Sequence, residues 1–356
     1  MLPAVWQSGR TAASPMSLEL PTLRIGLAGF TVEQQERLRL VLPQAYPSGI
    51  TWEFGKFNEA DVVWFNGARC QLLGDGTLRV APAVAGGRSL HVRLPEVDRP
   101  VAFAAPVPRA LESAISFDAS SVWGIGRLLE QLEAVLHPLI VQFCLASQIL
   151  EQESALGSGM YHVSSGQGRL LAHVNLRGDI GVLPSASPLE LESAMWTPLL
   201  RDVEIPDHFT RTSLSRLMWQ YALRSKRDVL PKRYRTDVLY FRRPPRLPQK
   251  ALRDSHLLLL RELAVEPGRF ADLMQRTGIV EPQMSHDLGA LYLVGAITSN
   301  PKRAAQLPAR RWSENSDSLR SASSVMPSGL GQESAPQPMM RPRGGDLTAP
   351  APLSFD

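Results

Sequence analysis

Three short runs constrain the fold more than anything else in the chain: LRIGLAGF at 23–30, VVWFN at 62–66 and PVAFAAPV at 100–107. Each is apolar at consecutive positions, so neither side of the strand it forms can face water, and strands covered on both faces belong to parallel sheets. Ile50 to Phe54 supplies a further short strand, and Arg79 to Ala83 another. Thr31 stands ready to cap VEQQERLRLVLPQAY, where Val32, Leu38, Val41 and Leu42 keep helical spacing. Strand, helix, strand, strand predicts a small α/β sandwich over about 23–115.

The middle of the chain, about 120–245, reads differently. Ser120 and Ser121 precede a long amphipathic element in which Leu128, Leu129, Leu132, Leu136, Ile140, Phe143 and Ile149 recur at helical spacing. Pro138 is expected to kink or divide it. GMYHVSSGQGRLLAHVNLRGDIGVLP alternates between Gly-containing turns and predicts a three-stranded antiparallel meander, with His162 and His173 as cross-strand neighbours. Two histidines without a third ligand or a carboxylate are a poor metal site, and no metal is expected. Ser187-Pro188-Leu189-Glu190 forms a capping box. LSRLMWQYALR places Leu214, Leu217, Met218 and Tyr221 on one core face.

Charge is concentrated at one place. Residues 224–253 hold eleven Arg and Lys against Asp228 and Asp237, a local balance of +9 in a chain whose net charge is +4. Tyr234, Tyr240 and Phe241 are interleaved with them, positioned to stack on a base. Guanidinium forks suit phosphates, so Arg224, Arg227, Arg233, Arg235, Arg242, Arg243 and Arg246 are the candidate anion-binding residues; the alternative is that some pair with carboxylates of neighbouring units. No apolar run approaches the roughly 18 residues that cross a bilayer. Residues 1–22 lack the pattern of a signal peptide and read as a flexible leader. Cys70 and Cys144 are isolated, as in a reducing compartment, so a cytoplasmic location is expected. No nucleophile elbow, His-Glu-x-x-His, phosphate loop or paired-cysteine motif is present, and neither catalysis nor a cofactor is expected.

The first unit resembles a response-regulator receiver domain. That family carries an acidic pair after its first strand, an acceptor Asp ending its third, and a Lys beside a Pro after its last. This chain has Gly29-Phe30-Thr31, Asn66 and Ala105-Pro106 at those places. An amide accepts no phosphoryl group, and without the acidic pair nothing holds Mg²⁺, so the resemblance implies a module incompetent for phosphorylation. Within a C-terminal unit of 246–303, residues of about 254–303 resemble a winged-helix domain: three helices closed by Gly278 and Gly295, with apolar Leu258, Leu263, Phe270, Leu273, Ile279, Leu288, Leu291, Leu293 and Ile297 for its core. Arg242 and Arg246 have the R-x-x-x-R spacing of the diguanylate-binding loop of PilZ domains, without its companion motif. Residues 304–356, rich in Ser, Pro, Gly and Arg, predict a disordered tail. Two functions follow as expectations. One is a non-catalytic bacterial signalling adaptor acting by protein contact or through an anion such as a cyclic dinucleotide. The other is a DNA-binding transcription regulator using the winged helix and the basic segment.

Overall fold

The computed structural model describes residues 19–46, 49–84, 86–111, 114–201 and 203–305. The leader and tail expectations therefore lie almost wholly outside the described residues. The chain begins with β1 (Thr22–Ala28), α1 (Val32–Ala45), β2 (Thr51–Gly55) and β3 (Val62–Asn66). A three-stranded antiparallel ladder of β4 (Cys70–Leu72), β5 (Thr77–Val80) and β6 (Leu90–Arg93) follows, then β7 (Val101–Ala104) and β8 (Ser116–Phe117). The expected strand near 79–83 is thus β5, and it belongs to this ladder. β2-β1-β3-β7-β8 form one sheet, parallel throughout.

The consecutive apolar residues of β3 divide between two faces, as the two-residue strand period requires. Val62 and Trp64 point to the side that α1 covers with Leu38 and Leu42. Val63 and Phe65 meet Leu78, Val80 and Cys70 of the antiparallel ladder on the other side. Thr31 caps α1 in a reciprocal box with Gln34.

Ser121 caps α2 (Val122–Glu151), a single helix of 30 residues that Pro138 does not divide. By length and composition this helix could span a bilayer, contrary to the sequence expectation, yet most of its apolar stretch is buried in the protein. Its first half packs on α1 and the parallel sheet through Ile125, Leu129 and Leu132, and its second half carries Phe143 and Leu145 into the middle unit. A Cβ on Gly126 would strike the Ala45 carbonyl, so glycine sets the approach of α1 to α2.

The meander is present as β9 (Met160–Ser164), β10 (Leu170–Asn175) and β11 (Asp179–Val182), with His162 paired to His173. After α3 (Pro188–Glu192), β12 (Met195–Leu199) and β13 (Thr210–Ser213) extend it to five strands in the order β12-β9-β10-β11-β13. α4 (Leu214–Arg224) buries Leu214, Leu217, Met218 and Tyr221. α5 (Arg233–Thr236) is one turn, and β14 (Tyr240–Phe241) leads out of the basic segment.

Three helices close the described chain: α6 (Asp254–Val265), α7 (Phe270–Thr277) and α8 (Glu281–Leu293), followed by β15 (Ile297–Thr298), which pairs antiparallel with β14. Gly278 ends α7 in the left-handed region at φ 68°. Leu263, Phe270, Leu273, Leu288, Leu291, Leu293 and Ile297 are buried as expected, whereas Leu258 and Ile279 are only half-buried and Leu259 takes the core position. α8 packs on α4, with Gly289 against Val229 and Leu230, and from Met284 onward only His286 is not buried.

A candidate regulatory pocket and the fate of the basic segment

Asn66 stands at the carboxyl end of β3, beside the β1–α1 turn. Its Nδ2 donates to the Gly29 carbonyl at 3.1 Å and to Gln34 Oε1 at 3.3 Å. Gln34 Oε1 also accepts the Thr31 amide at 2.9 Å. The side-chain amide therefore ties the turn to the strand with its two donors, something a carboxylate cannot do. These groups floor a pocket of about 220 Å³ lined further by Arg37, Asp118 and Ser120. Asp118 is the one carboxylate among its described lining residues, and hydrogen bonds from the Ser120 hydroxyl (2.6 Å) and amide (2.8 Å) hold its carboxyl below the usual range. Ala105-Pro106 follows β7, not the last strand, because β8 adds a further parallel strand at the sheet edge. The last-strand position is thus next to Asp118, and no Lys stands there either.

The basic segment does not form one surface. Arg224 is half-buried and pairs with Asp61, its Nε donating to Oδ1 at 3.0 Å. Arg227 lies 3.5 Å from Glu19 and 3.3 Å from Glu151. Glu19 itself accepts from Tyr221 (2.7 Å) and Ser225, which ties this residue of the expected leader to α4. Arg235 reaches Asp228 and Glu281 and sits over the Phe270 ring. Arg233 lies over Tyr234, 5.8 Å from its centroid. Tyr234 is buried against Tyr292, and Phe241 packs on the core, so neither can stack on a base as the sequence suggested. Arg253 meets Glu59 at 3.1 Å. The carboxylate-pairing alternative thus describes Arg224, Arg227 and Arg235.

Arg242 and Arg243 differ from these. Both amides bond the Ala296 carbonyl, and both guanidinium groups approach Gly295, whose missing Cβ leaves them room. Among the described residues no carboxylate lies within ion-pair distance of either. Burial, with Arg242 and Arg246 close by, lowers the basicity of Arg243. The structure brings Arg242, Arg243 and Arg246 together and separates them from Arg224, Arg227 and Arg235.

A buried polar cluster escaped sequence reasoning. Arg253 donates its amide to His256 Nδ1 at 3.1 Å, which leaves the proton of a neutral ring on Nε2, 3.1 Å from Asp287 Oδ1. His256 and Asp287 are both fully buried. Burial raises the Asp287 pKa, but His256 and His286 beside it more than offset that and hold the carboxylate ionised. Ser285 and Asp287, polar residues of α8, are buried.

No known family, curated protein or solved structure matches the chain.

Proposed function

We propose that the chain is a non-catalytic regulatory adaptor of the bacterial cytoplasm, built on a receiver-like module that cannot take up a phosphoryl group. The observation that carries this reading is Asn66. It occupies the end of β3 at the point where the sheet order β2-β1-β3-β7-β8 reverses direction, the crevice where sheets of this kind bind their ligands. There its amide is used to fasten Gly29 and Gln34. The turn that would bear an acidic pair carries Gly29, Phe30 and Thr31. Such a module acts by contact, with its turn held in one state by hydrogen bonds instead of by phosphorylation. Arg242 and Arg243 offer the second input, an anion such as a cyclic dinucleotide.

The experiment is incubation of the full chain with acetyl phosphate and Mg²⁺, followed by intact mass measurement. The expected result is an unmodified protein; a phosphoryl adduct on any residue of the Asn66 pocket refutes the reading. The DNA-binding reading draws support from Arg242 and Arg243 beside the β14–β15 ladder, and from the winged-helix-like order of α6, α7 and α8. Burial of Met284, Ser285 and Asp287 against it leaves α8 only its first turn, with Glu281, to enter a groove. Duplex binding that weakens steeply with salt and disappears in an Arg242→Ala, Arg243→Ala double variant would restore it.

A further inference from the structure

A cleft of about 430 Å³ opens at the other end of the parallel sheet from the Asn66 pocket, by the amino ends of β1, β3 and β7. Its walls bring together residues far apart in the chain: Arg24 of β1, Arg99 before β7, Leu136 and Leu139 of α2, Arg216 and Leu223 of α4, and Lys250 and Arg253 ahead of α6. Its volume is that of an ordinary small-molecule site.

The charges lining it do not cancel. Arg24, Arg99, Arg216, Arg224, Lys250 and Arg253 face Glu59, Asp61 and Asp98. Each carboxylate is already engaged: Asp61 by Arg224, Glu59 by Arg253, and Asp98 by Arg99 and Lys250 at 3.6 Å each. Arg24 and Arg216 have no carboxylate within ion-pair distance among the described residues. Arg24 spends one nitrogen on the Leu223 carbonyl at 2.6 Å, and Arg216 is exposed. Burial lowers the basicity of Arg253, and Arg24 and Arg224 lower it further. The cleft is thus a crowded set of guanidinium groups with the fixed acids used up.

We propose that this cleft binds a small organic phosphate, the doubly charged group meeting the surplus guanidinium donors of Arg24 and Arg216 while the body of the ligand lies on Leu136, Leu139 and Leu223. Five arginines to one lysine suit a phosphate, whose oxygens take paired N–H donors. A phosphate monoester carries close to two negative charges at neutral pH, which balances most of the excess. The proposal is independent of the silent phosphoacceptor: it concerns the other end of the sheet.

The test is calorimetric titration of the full chain with AMP, inorganic pyrophosphate and citrate. Arg216 is the residue to vary, because it holds no structural contact with a carboxylate. Saturable binding of AMP or pyrophosphate is expected, about tenfold weaker in Arg216→Ala, as loss of one charge-assisted contact implies, and undetectable in Arg216→Glu. The Arg242→Ala, Arg243→Ala double variant should bind as the parent does. No saturation with either phosphate, equal affinity in Arg216→Glu, loss in the Arg242/Arg243 variant, or binding of citrate alone would each overturn the proposal.

Discussion

The ion pair between Arg224 and Asp61 offers the sharpest test of how the units are joined. Arg224 ends α4 and Asp61 precedes β3, so the pair bridges the middle unit and the parallel sheet across 163 positions of sequence. The side chains are only 11% and 5% exposed. Asp61 Oδ2 also accepts the Arg24 amide at 2.8 Å, so both carboxylate oxygens are used. Arg224→Ala would leave the Asp61 side chain, little exposed at the wall of the cleft, with one backbone donor and no cationic partner. Breaking a buried pair from one side costs about 3–5 kcal/mol. Replacing both residues with apolar ones removes the stranded charge, and the remaining cost is the orphaned Arg24 amide, about 1–3 kcal/mol. The expected order in urea denaturation, followed by tryptophan fluorescence, is therefore parent, then Arg224→Met with Asp61→Leu, then Arg224→Ala as least stable. Because the pair is buried, high salt should not remove the difference. If Arg224→Ala costs less than about 1 kcal/mol, the value of a surface pair, the bridge is not holding the units together and the reasoning fails.

Asn66→Asp exchanges a double donor for an acceptor facing the Gly29 carbonyl and Gln34 Oε1, and should cost about 1–3 kcal/mol in thermal denaturation without creating phosphorylation from acetyl phosphate. Glu153 gives a pH signature. Burial raises its pKa to about 7 from 4.5, so the native state holds a proton that the unfolded state has released. Stability from this group accordingly falls as pH rises through that interval. Glu153→Gln should flatten the decline in melting temperature between acidic and mildly alkaline buffer; an unchanged slope refutes it. Cys70 and Cys144 are buried with thiols pushed up to about 11 and about 12, so neither should react with iodoacetamide at neutral pH until the protein unfolds. Residues 246–303 expressed alone should be aggregated or molten, because α8 would lose its cover from α4.

What the sequence made legible follows the range of the interactions. Residues 62–66 and the Thr31 cap were readable because a strand buried on both faces and a capped helix leave local patterns. The meander was readable for the same reason, but β12 and β13 were not: MWTPL carries Pro198, and TRTS is too short to show alternation. Pro138 misled because a proline's local penalty was weighed without the packing on both halves of α2. The basic segment misled most. Local charge density says nothing about pairing, and Arg224, Arg227 and Arg253 each have a partner within the first 61 residues, Asp61, Glu19 and Glu59, with Glu151 as a second partner of Arg227.

That pattern of pairing bears on how a signal could pass through the molecule. One continuous hydrophobic cluster runs from Leu23 in β1 through α2 and α4 to Ile297 in β15. The domain boundaries suggested by composition therefore do not separate independent cores. α2 is shared by the sheet and the meander, α4 by the meander and α8. The cationic cleft sits where these shared elements meet, and its walls carry the Arg224–Asp61 and Arg253–Glu59 bridges. An anion held there would act on guanidinium groups already committed to those bridges. It would offset the mutual repulsion of Arg24, Arg224 and Arg253, and so stabilise the arrangement that the bridges hold. Ligand stabilisation of this kind grows with the logarithm of concentration above the dissociation constant. Its shortest route to the Asn66 pocket is through β1 and β3: Arg24 of β1 and Asp61 just before β3 line the cleft, and the other ends of these strands lead to Gly29 and Asn66.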